Sequence, residues 1–464
     1  MLMNKCSVFI SVAMGLFSIL LVPDAVGEQP VIAGISNVAP AWSGHSVGYC
    51  LLTKDGYQYV AYYADDRFMT VAMRKLDSTD WMFNRLQTRV NWDSHHYITM
   101  AMDRAGQLHV SGNMHGDALI YFRTTKAHDI QTLERVREMT GNDERSCTYP
   151  QFIHDDRGRL LFLYRDGKSG DGVQLVNAYD EKTTTWTRHL PTPLFDGLGK
   201  VSCYPEGPVL GPDGYFHLIW VWRVSGACET NHNLCYARSK DMVHWETAGG
   251  EAIALPMTPE SKGTLIDPVP VEGGMINEST VVGFDTQGRV ILSYHKFDGH
   301  GNTQIYNARY ESDGWKIYQT SDWKHRWFFS GGGTIEVDVD LGPVRVTAMG
   351  KLIQGYYHAK HGNGAWVLDE ETLKPIQKYS AGADLFQKHN TPSMDYPDMQ
   401  VRWKADENSA TFDGHRYFLR WEAPLVSRDQ QREDVAAPVM LKVYKISQPE
   451  RFDLGLSCIH DGYF

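Results

Sequence analysis

Residues 102–112 read MDRAGQLHVSG. An aspartate followed three positions later by glycine marks a tight turn: the carboxylate closes onto nearby backbone N–H groups, and glycine supplies a left-handed φ without steric cost. The Leu-His-Val-Ser that follows alternates as a strand does. The phrase recurs as KDGYQYVAYY at Asp55, HDDRGRLLFLYR at Asp155, GPDGYFHLIWVWR at Asp213, FDTQGRVILSYHKF at Asp285 and FDGHRYFLRW at Asp413. A second phrase often follows as an outer strand: MTVAMRKL, ALIYFRTT, LVNAYD, LCYARS and IYNARY. Hairpins repeated at a fixed period predict a repeat architecture.

The turn aspartates are separated by 48, 52, 58, 72 and finally 128 residues. The last gap is two units wide, and VRVTAMGKLIQGYYHAKHGNGAWVLDE supplies strands for the missing one. Seven units of about sixty residues predict an all-β, seven-bladed β-propeller, in which ring closure removes exposed sheet edges. The closing blade is expected to pair the C-terminal PVMLKVYKI with strands near PVIAGISN. SKDMVHWET and ESDGWKIYQ carry Asp-box-like wording, which specifies fold rather than chemistry. Composition agrees: 464 residues with 12% aromatics and 42 Gly suit strands and turns better than helices.

A net charge of -11 argues against nucleic acid as partner, because such binding relies on Lys and Arg neutralising phosphates. Lys5, the apolar run Val8–Val22 and Ala25-Val-Gly27 read as a cleavable signal over residues 1–27, leaving a single propeller domain over 28–464 in a secreted or periplasmic protein. Cys6 precedes the apolar run, so no lipid anchor is expected. No second stretch is long and apolar enough to span a membrane, and a monomer is expected. Cys228 and Cys235 flank a loop and could pair; buried free thiols are the alternative.

Chemistry-bearing residues fall at comparable places in successive units. Blade two offers His95 and His115, blade three Tyr149 and Arg165, blade four Tyr204, His217, Arg223 and His232, blade five His295, and blade six Arg326. A lone His or Tyr on a strand is commonly a hydrogen-bonded core residue. His109, in mid-strand, is expected to be one. His96 should face away from His95, because adjacent strand residues point to opposite sides. His217, His232, His295 and the nearby cysteines could hold a structural ion, yet no tight ligand spacing demands a metal.

The phrases WDSHHYITMAMDRAGQLHVSGNMHGDALIYFRT, TYPQF…YRDG, CYPEGP…FHLIWVWR, TNHNLCYARS and SYHKFDGHGNTQIYNAR resemble the seven-bladed propeller polysaccharide lyases. That group comprises the ulvan lyases and the rhamnose–glucuronate lyases, the latter overlapping with enzymes described as α-L-rhamnosidases. The likeness covers nearly all of the mature chain, with one departure: His96 stands where such sequences commonly carry Asn.

The resemblance implies β-elimination from a 4-linked uronate without a required cofactor, on an acidic glycan containing rhamnose and glucuronate. By it, Arg165 neutralises the substrate carboxylate with help from His115, His95 and Tyr149 share the base and acid roles, and Tyr204 bonds substrate. His217, Arg223, His232, His295 and Arg326 are further substrate-binding candidates. The cap-removing enzymes, which release rhamnose from arabinogalactan-type glycans, look closest through SGNMHGD, SYHKFDGHGNTQ and HRWFFSGGG. Three alternatives stay open: an ulvan lyase, a hydrolytic α-L-rhamnosidase acting through His45 on the opposite propeller face, and a non-catalytic sugar-binding propeller. A hydrolase more commonly uses two carboxylates, and no acidic pair stands out in the sequence.

Overall fold

In a computed structural model, which describes residues 31–379, 387–408, 412 and 414–447, the turn aspartates do what their spacing requires. The Asp103 carboxylate accepts from the Ala105 and Gln107 amides at 2.9 and 2.8 Å, with Gly106 at φ 79°. Asp155 and Asp285 repeat the arrangement, each accepting two amides two and four residues on, with Gly158 and Gly288 in the left-handed region. Asp413 and residues 1–27 lie outside the described residues.

Each turn joins the first two strands of an antiparallel sheet, and seven such sheets are present among the described residues. Blade one runs from Cys50–Lys54 to Met82–Arg89, blade two from Ile98–Met102 to Leu133–Val136, and blade three is centred on Cys147–His154, Leu160–Lys168 and Asp171–Asp180. Blade four holds Ser202–Leu210, Phe216–Arg223 and Asn231–Ser239, and blade five runs from Thr280–Phe284 to Gly314–Gln319. Blade six is the unit predicted across the wide gap, with Leu352–His358 and Gly362–Leu368 at its centre.

The seventh blade is completed from the other end of the chain. Val31–Ala41 pairs antiparallel with Val439–Ser447, Ile35 opposite Tyr444, as the fourth strand beside Met399–Ala405 and His415–Pro424. Ring closure therefore joins PVMLKVYKI to PVIAGISN as the sequence predicts.

The core lies between blades, where sheet faces pack. One cluster joins blades seven, one and two through Trp421, Tyr49, Leu51 and Met100, and others bridge successive pairs, such as Phe195 with Trp220 and Trp222. Each fully buried Leu or Val contributes about 1.5–3 kcal/mol relative to exposure. Cys50, Cys147, Cys203, Cys228 and Cys235 are buried free thiols, so Cys228 and Cys235 do not pair. The reason is packing: Cys228 enters the cluster under blades five and six, and Cys235 the one between blades three and four.

One strand departs from the expected order. His115–Asp117 leaves blade two and pairs with Cys147–His154 of blade three, Thr148 opposite His115. The link between the second and third strands of blade two spans the seam and brings His115 towards its neighbour's inner strand. No helix among the described residues is long and apolar enough to cross a membrane.

Candidate active site at the loop end of the channel

Strand direction decides which residues can meet. The Asp-x-x-Gly turns gather at one end of the ring, so the starts of first strands and the ends of second strands gather at the other. His95 just before a first strand, Tyr149 and Tyr204 near the starts of first strands, and Arg165 and Arg223 towards the ends of second strands all lie there.

Asp93 organises the first part of this site. Its Oδ1 accepts from the His95 amide at 2.9 Å and pairs with His95 Nδ1 at 2.7 Å, while Oδ2 takes His115 Nδ1 at 2.7 Å. The two imidazoles stack with centroids 4.0 Å apart. Burial works to raise the Asp93 carboxyl, but the bonds from His115 and His95 outweigh it and hold the group well below the usual carboxylate range. With both Nδ1 atoms occupied, each ring is left with its Nε2 to offer. His96 turns the other way into the fold, 3.5 Å from Asp117, and it is Asp93 that orients His95.

Tyr149 sits at a break in the inner-strand register of blade three, between Thr148 and Gln151, with φ 56°. A non-glycine residue held there stores strain, which turns its side chain out of the strand's alternation. Its ring lies 5.8 Å from those of His95 and Tyr204. Burial first, then Tyr204 beside it, pushes the phenol well above its ordinary value, and Arg165 opposes without reversing the shift. Tyr149 is therefore a protonated phenol at neutral pH.

Arg165 lies over both rings, 5.0 Å from Tyr149 and 5.5 Å from Tyr204, and donates to the Tyr204 hydroxyl at 3.1 Å. It is 2% exposed, its Nε has no hydrogen-bond partner, and no carboxylate of the described residues forms an ion pair with it. Ser169 supports Tyr204 at 2.6 Å, and Arg223 covers the Tyr204 ring at 5.2 Å.

A cavity of about 210 Å³ continues from Tyr149 and Tyr204 into the channel, lined by Thr99, Gln151, Glu206, Asn277 and Glu278. Burial raises Glu206 to about 8, helped by Glu278, and raises Glu278 to about 7 against the pull of Arg223. Neither Glu stands out in the sequence.

Asp429 also enters unannounced, from a loop of blade seven where Arg428 and Asp429 both have positive φ, 53° and 58°. It accepts from the Ser94 amide at 3.0 Å and the Thr334 amide at 2.8 Å, and lies 3.9 Å from His95 Nδ1. Burial opposes its ionisation, but the nearby His45 ring and the bond from the Ser94 amide hold the carboxyl well below its usual range.

The expected opposite-face position of His45 is corrected by these contacts. His45 precedes the first strand of blade one, as His95 precedes that of blade two, so both lie at the loop end. Its Nε2 is 3.0 Å from Ser94 Oγ and 3.6 Å from Asp429, and the ring is buried beside Trp42 and Trp92. His45 thus stands behind the cluster, shielded from solvent.

The other candidates do not join this cluster. His217 begins its strand and so lies at the turn end, bonded to Asp213 at 3.0 Å and Tyr236 at 2.7 Å. His295 bonds the Gly274 carbonyl at 2.7 Å, packs against Trp327 and is lowered to about 4 by burial. His232 is half-buried, and burial lowers its imidazole, while Arg326 is exposed over Phe297. These histidines do not converge with one another or with the cysteines on a common point. The one group of three or more metal-capable side chains among the described residues is Asp93, His95 and His115, with donor atoms within 4.8 Å of one another. Two Nδ1–carboxylate contacts of 2.7 Å already satisfy it as a hydrogen-bonded triad.

The profile of the family described as "BNR repeat-containing family member" matches residues 57–323. No curated protein matches the chain by sequence. Among solved structures, "polysaccharide lyase Uly1" superposes with a TM-score of 0.59 at 13% identity, covering 91% of this chain and 100% of that one. A structure described as "a new family of Polysaccharide lyase PL25-Ulvanlyase" gives 0.59 at 14% identity, covering 89% and 95%, and a second of that description is bound to -[GlcA(1-4)Rha3S]-. At such identities the likeness is one of fold.

Proposed function

The chain belongs to the BNR repeat-containing family, and from that premise we propose that it is a polysaccharide lyase that cleaves rhamnosyl-(1→4)-glucuronate linkages by β-elimination. The observation that carries this reading is Arg165, a buried guanidinium with no carboxylate partner among the described residues. Burying an unpaired charge is costly. A ligand carboxylate, bound through the planar fork of the guanidinium, supplies the missing counter-charge.

With the uronate so held, negative charge developing at C5 is stabilised by Arg165, and Tyr204 and Arg223 fix the ring from the same side. His95 Nε2 takes the C5 proton, its Nδ1 being anchored by Asp93. The C4–O4 bond breaks as the C4–C5 double bond forms, and Tyr149 gives its phenolic proton to the departing oxygen. The raised Tyr149 favours this division of labour, since a protonated phenol is an acid in waiting and a poor base. His115 shares Asp93 and steadies the carboxylate.

Similarity to the phrases of cap-removing enzymes favours release of free rhamnose from arabinogalactan-type glycans, in a secreted protein with its signal at residues 1–27. The test is incubation with gum arabic and, separately, ulvan, following near-ultraviolet absorbance and free rhamnose together. Absorbance with rhamnose from gum arabic is expected. Absorbance with oligosaccharides from ulvan marks an ulvan lyase, rhamnose without absorbance marks hydrolysis, and carbohydrate binding without either product marks a non-catalytic propeller.

A further inference from the structure

The channel cavity extends well behind the catalytic cluster. It reaches from Tyr149 and Tyr204 at the loop end to Glu407, which follows the first strand of blade seven, Met399–Ala405, and so stands towards the turn end. Its volume of about 210 Å³ leaves room for several waters, each occupying about 30 Å³ in the liquid, and Thr99, Gln151, Gln174 and Asn277 supply the polar partners that ordered water needs.

Irregular backbone aims two carboxyls into this space. Glu206 shares a strand face with Tyr204, two residues on and one step deeper, because the pairing register is unbroken between them. It borders the register break between Glu206 and Val209, where Gly207 has φ 98°. Glu278, with φ 71°, stands just before the first strand of blade five, Thr280–Phe284, much as Tyr149 with φ 56° stands near the start of its own. Asn277 fixes its orientation: Arg223 donates to Asn277 Oδ1 at 3.4 Å, and Asn277 Nδ2 donates to Glu278 Oε1 at 3.0 Å, leaving Oε2 uncommitted.

Charge decides what the two carboxyls can do. Glu206 takes no hydrogen bond from the described residues, and the charge that acts on it is Glu278. Around Glu278 stand Arg223 of blade four, Glu206, Tyr149 and, from the loop of blade seven, Asp429. Glu407, on the far wall, lies 3.5 Å from Lys404. A single guanidinium cannot hold both Glu206 and Glu278 ionised against burial and their mutual repulsion, so at least one proton stays in the channel at neutral pH.

Elimination leaves the site with its protons exchanged: His95 holds the one taken from C5, and Tyr149 is a phenolate. We propose that the central channel is a proton path from the turn end of the ring to Tyr149. The Glu278 carboxylic acid gives its proton to the phenolate, the Glu278 carboxylate takes one from Glu206 through channel water, Glu206 takes one from solvent at the turn end, and His95 returns one to solvent at the loop end. One proton enters and one leaves in each turnover. Tyr149 is thereby reset from behind while product still covers the loop end. The path rests on the lyase reading, since only a turnover empties Tyr149.

The experiment compares the wild type, Glu278→Gln and Glu206→Gln on gum arabic and ulvan by rapid-mixing near-ultraviolet absorbance, under single-turnover and multiple-turnover conditions, with circular dichroism confirming the fold. In Glu278→Gln the first turnover is expected at the wild-type rate, because Tyr149 starts protonated, and later turnovers about tenfold slower. Added imidazole buffer, a small proton donor, should restore the later turnovers in proportion to its concentration, which a merely structural defect would not allow. Glu206→Gln should show the same pattern to a lesser degree, and it carries the test if Glu278→Gln does not fold. Later turnovers as fast as the wild type's, a slow phase indifferent to buffer, or loss of the first turnover would overturn the path and leave the lyase reading standing. A wild type that forms no unsaturated product from either glycan removes the lyase reading, and the path with it.

Discussion

The two ends of the propeller use the same side chains to opposite effect. At the turn end, His109 bonds Asp103 and Tyr121, and His217 bonds Asp213 and Tyr236, each set within one blade. Both ring nitrogens of each histidine are engaged, and both rings are buried. At the loop end, Asp93 joins His95 to His115 on the seam with blade three, and Asp429 ties blade two to the segment before blade six. There the imidazole Nε2 atoms and Arg165 are left with capacity to spare. Saturation within a blade marks a structural set; unsatisfied groups meeting across blades mark a site.

Replacing Arg165 puts the heaviest load on this contrast. Arg165→Ala should lower kcat/KM by about 10²-fold or more, the scale of one charged donor in a preorganised site, with the circular dichroism spectrum retained. Near-normal turnover would mean that the unpaired guanidinium is not the carboxylate's partner. Asp93→Asn comes next, removing the acceptor that holds both imidazoles while touching no substrate. A fall of about 10-fold or more in kcat with little change in KM is expected, and equal loss in KM would assign Asp93 to binding instead.

His217→Ala tests the other end. Losing a buried, doubly bonded ring should cost about 2–3 kcal/mol in denaturant melts and leave kcat unchanged. A kinetic defect in the folded variant would break the distinction between the ends.

The smallest effect concerns the channel carboxyls. Glu206 and Glu278 are raised to about 8 and about 7, so the folded state binds their protons more tightly than the unfolded chain does. Their contribution is fully present below the unfolded value and is lost as pH climbs through the folded one. Glu206→Gln should therefore flatten the decline in melting temperature between roughly pH 5 and 8, gaining about 1–2 °C at the upper end. An unchanged slope would show that the channel hydrates this carboxyl.

Local chemistry made most of the fold readable. Asp-x-x-Gly turns announce themselves because one carboxylate and one left-handed glycine suffice to close each, and the two-unit gap before Asp413 holds the strands that blade six requires. The convergence of His95, His115, Tyr149, Arg165 and Tyr204 was also legible, since strand order brings them to one end. His217 was misplaced because position along a strand, and not residue type, selects the end. His45 was placed on the wrong face for want of the same argument. Asp93 had a signal in WDSHH, two residues before His95. Asp429 had none: it bonds Ser94 from 335 residues away, and its aim comes from two successive left-handed residues in a loop.

The strand that completes blade seven carries a consequence for how the chain reaches this state. Val31 meets Ser447 across 416 positions of sequence, so the last seam forms only after almost every other residue has been synthesised. Contacts of such long range are slow to find, because the loop entropy must be spent before the pairing rewards it. Until then the outer edge of the final sheet is open to any extended segment, its own or a neighbour's. A chain shortened to begin at Trp42 would keep the loop-end residues Asp93, His95, Tyr149 and Arg165 yet remain an unlatched ring, prone to self-association at the vacant edge.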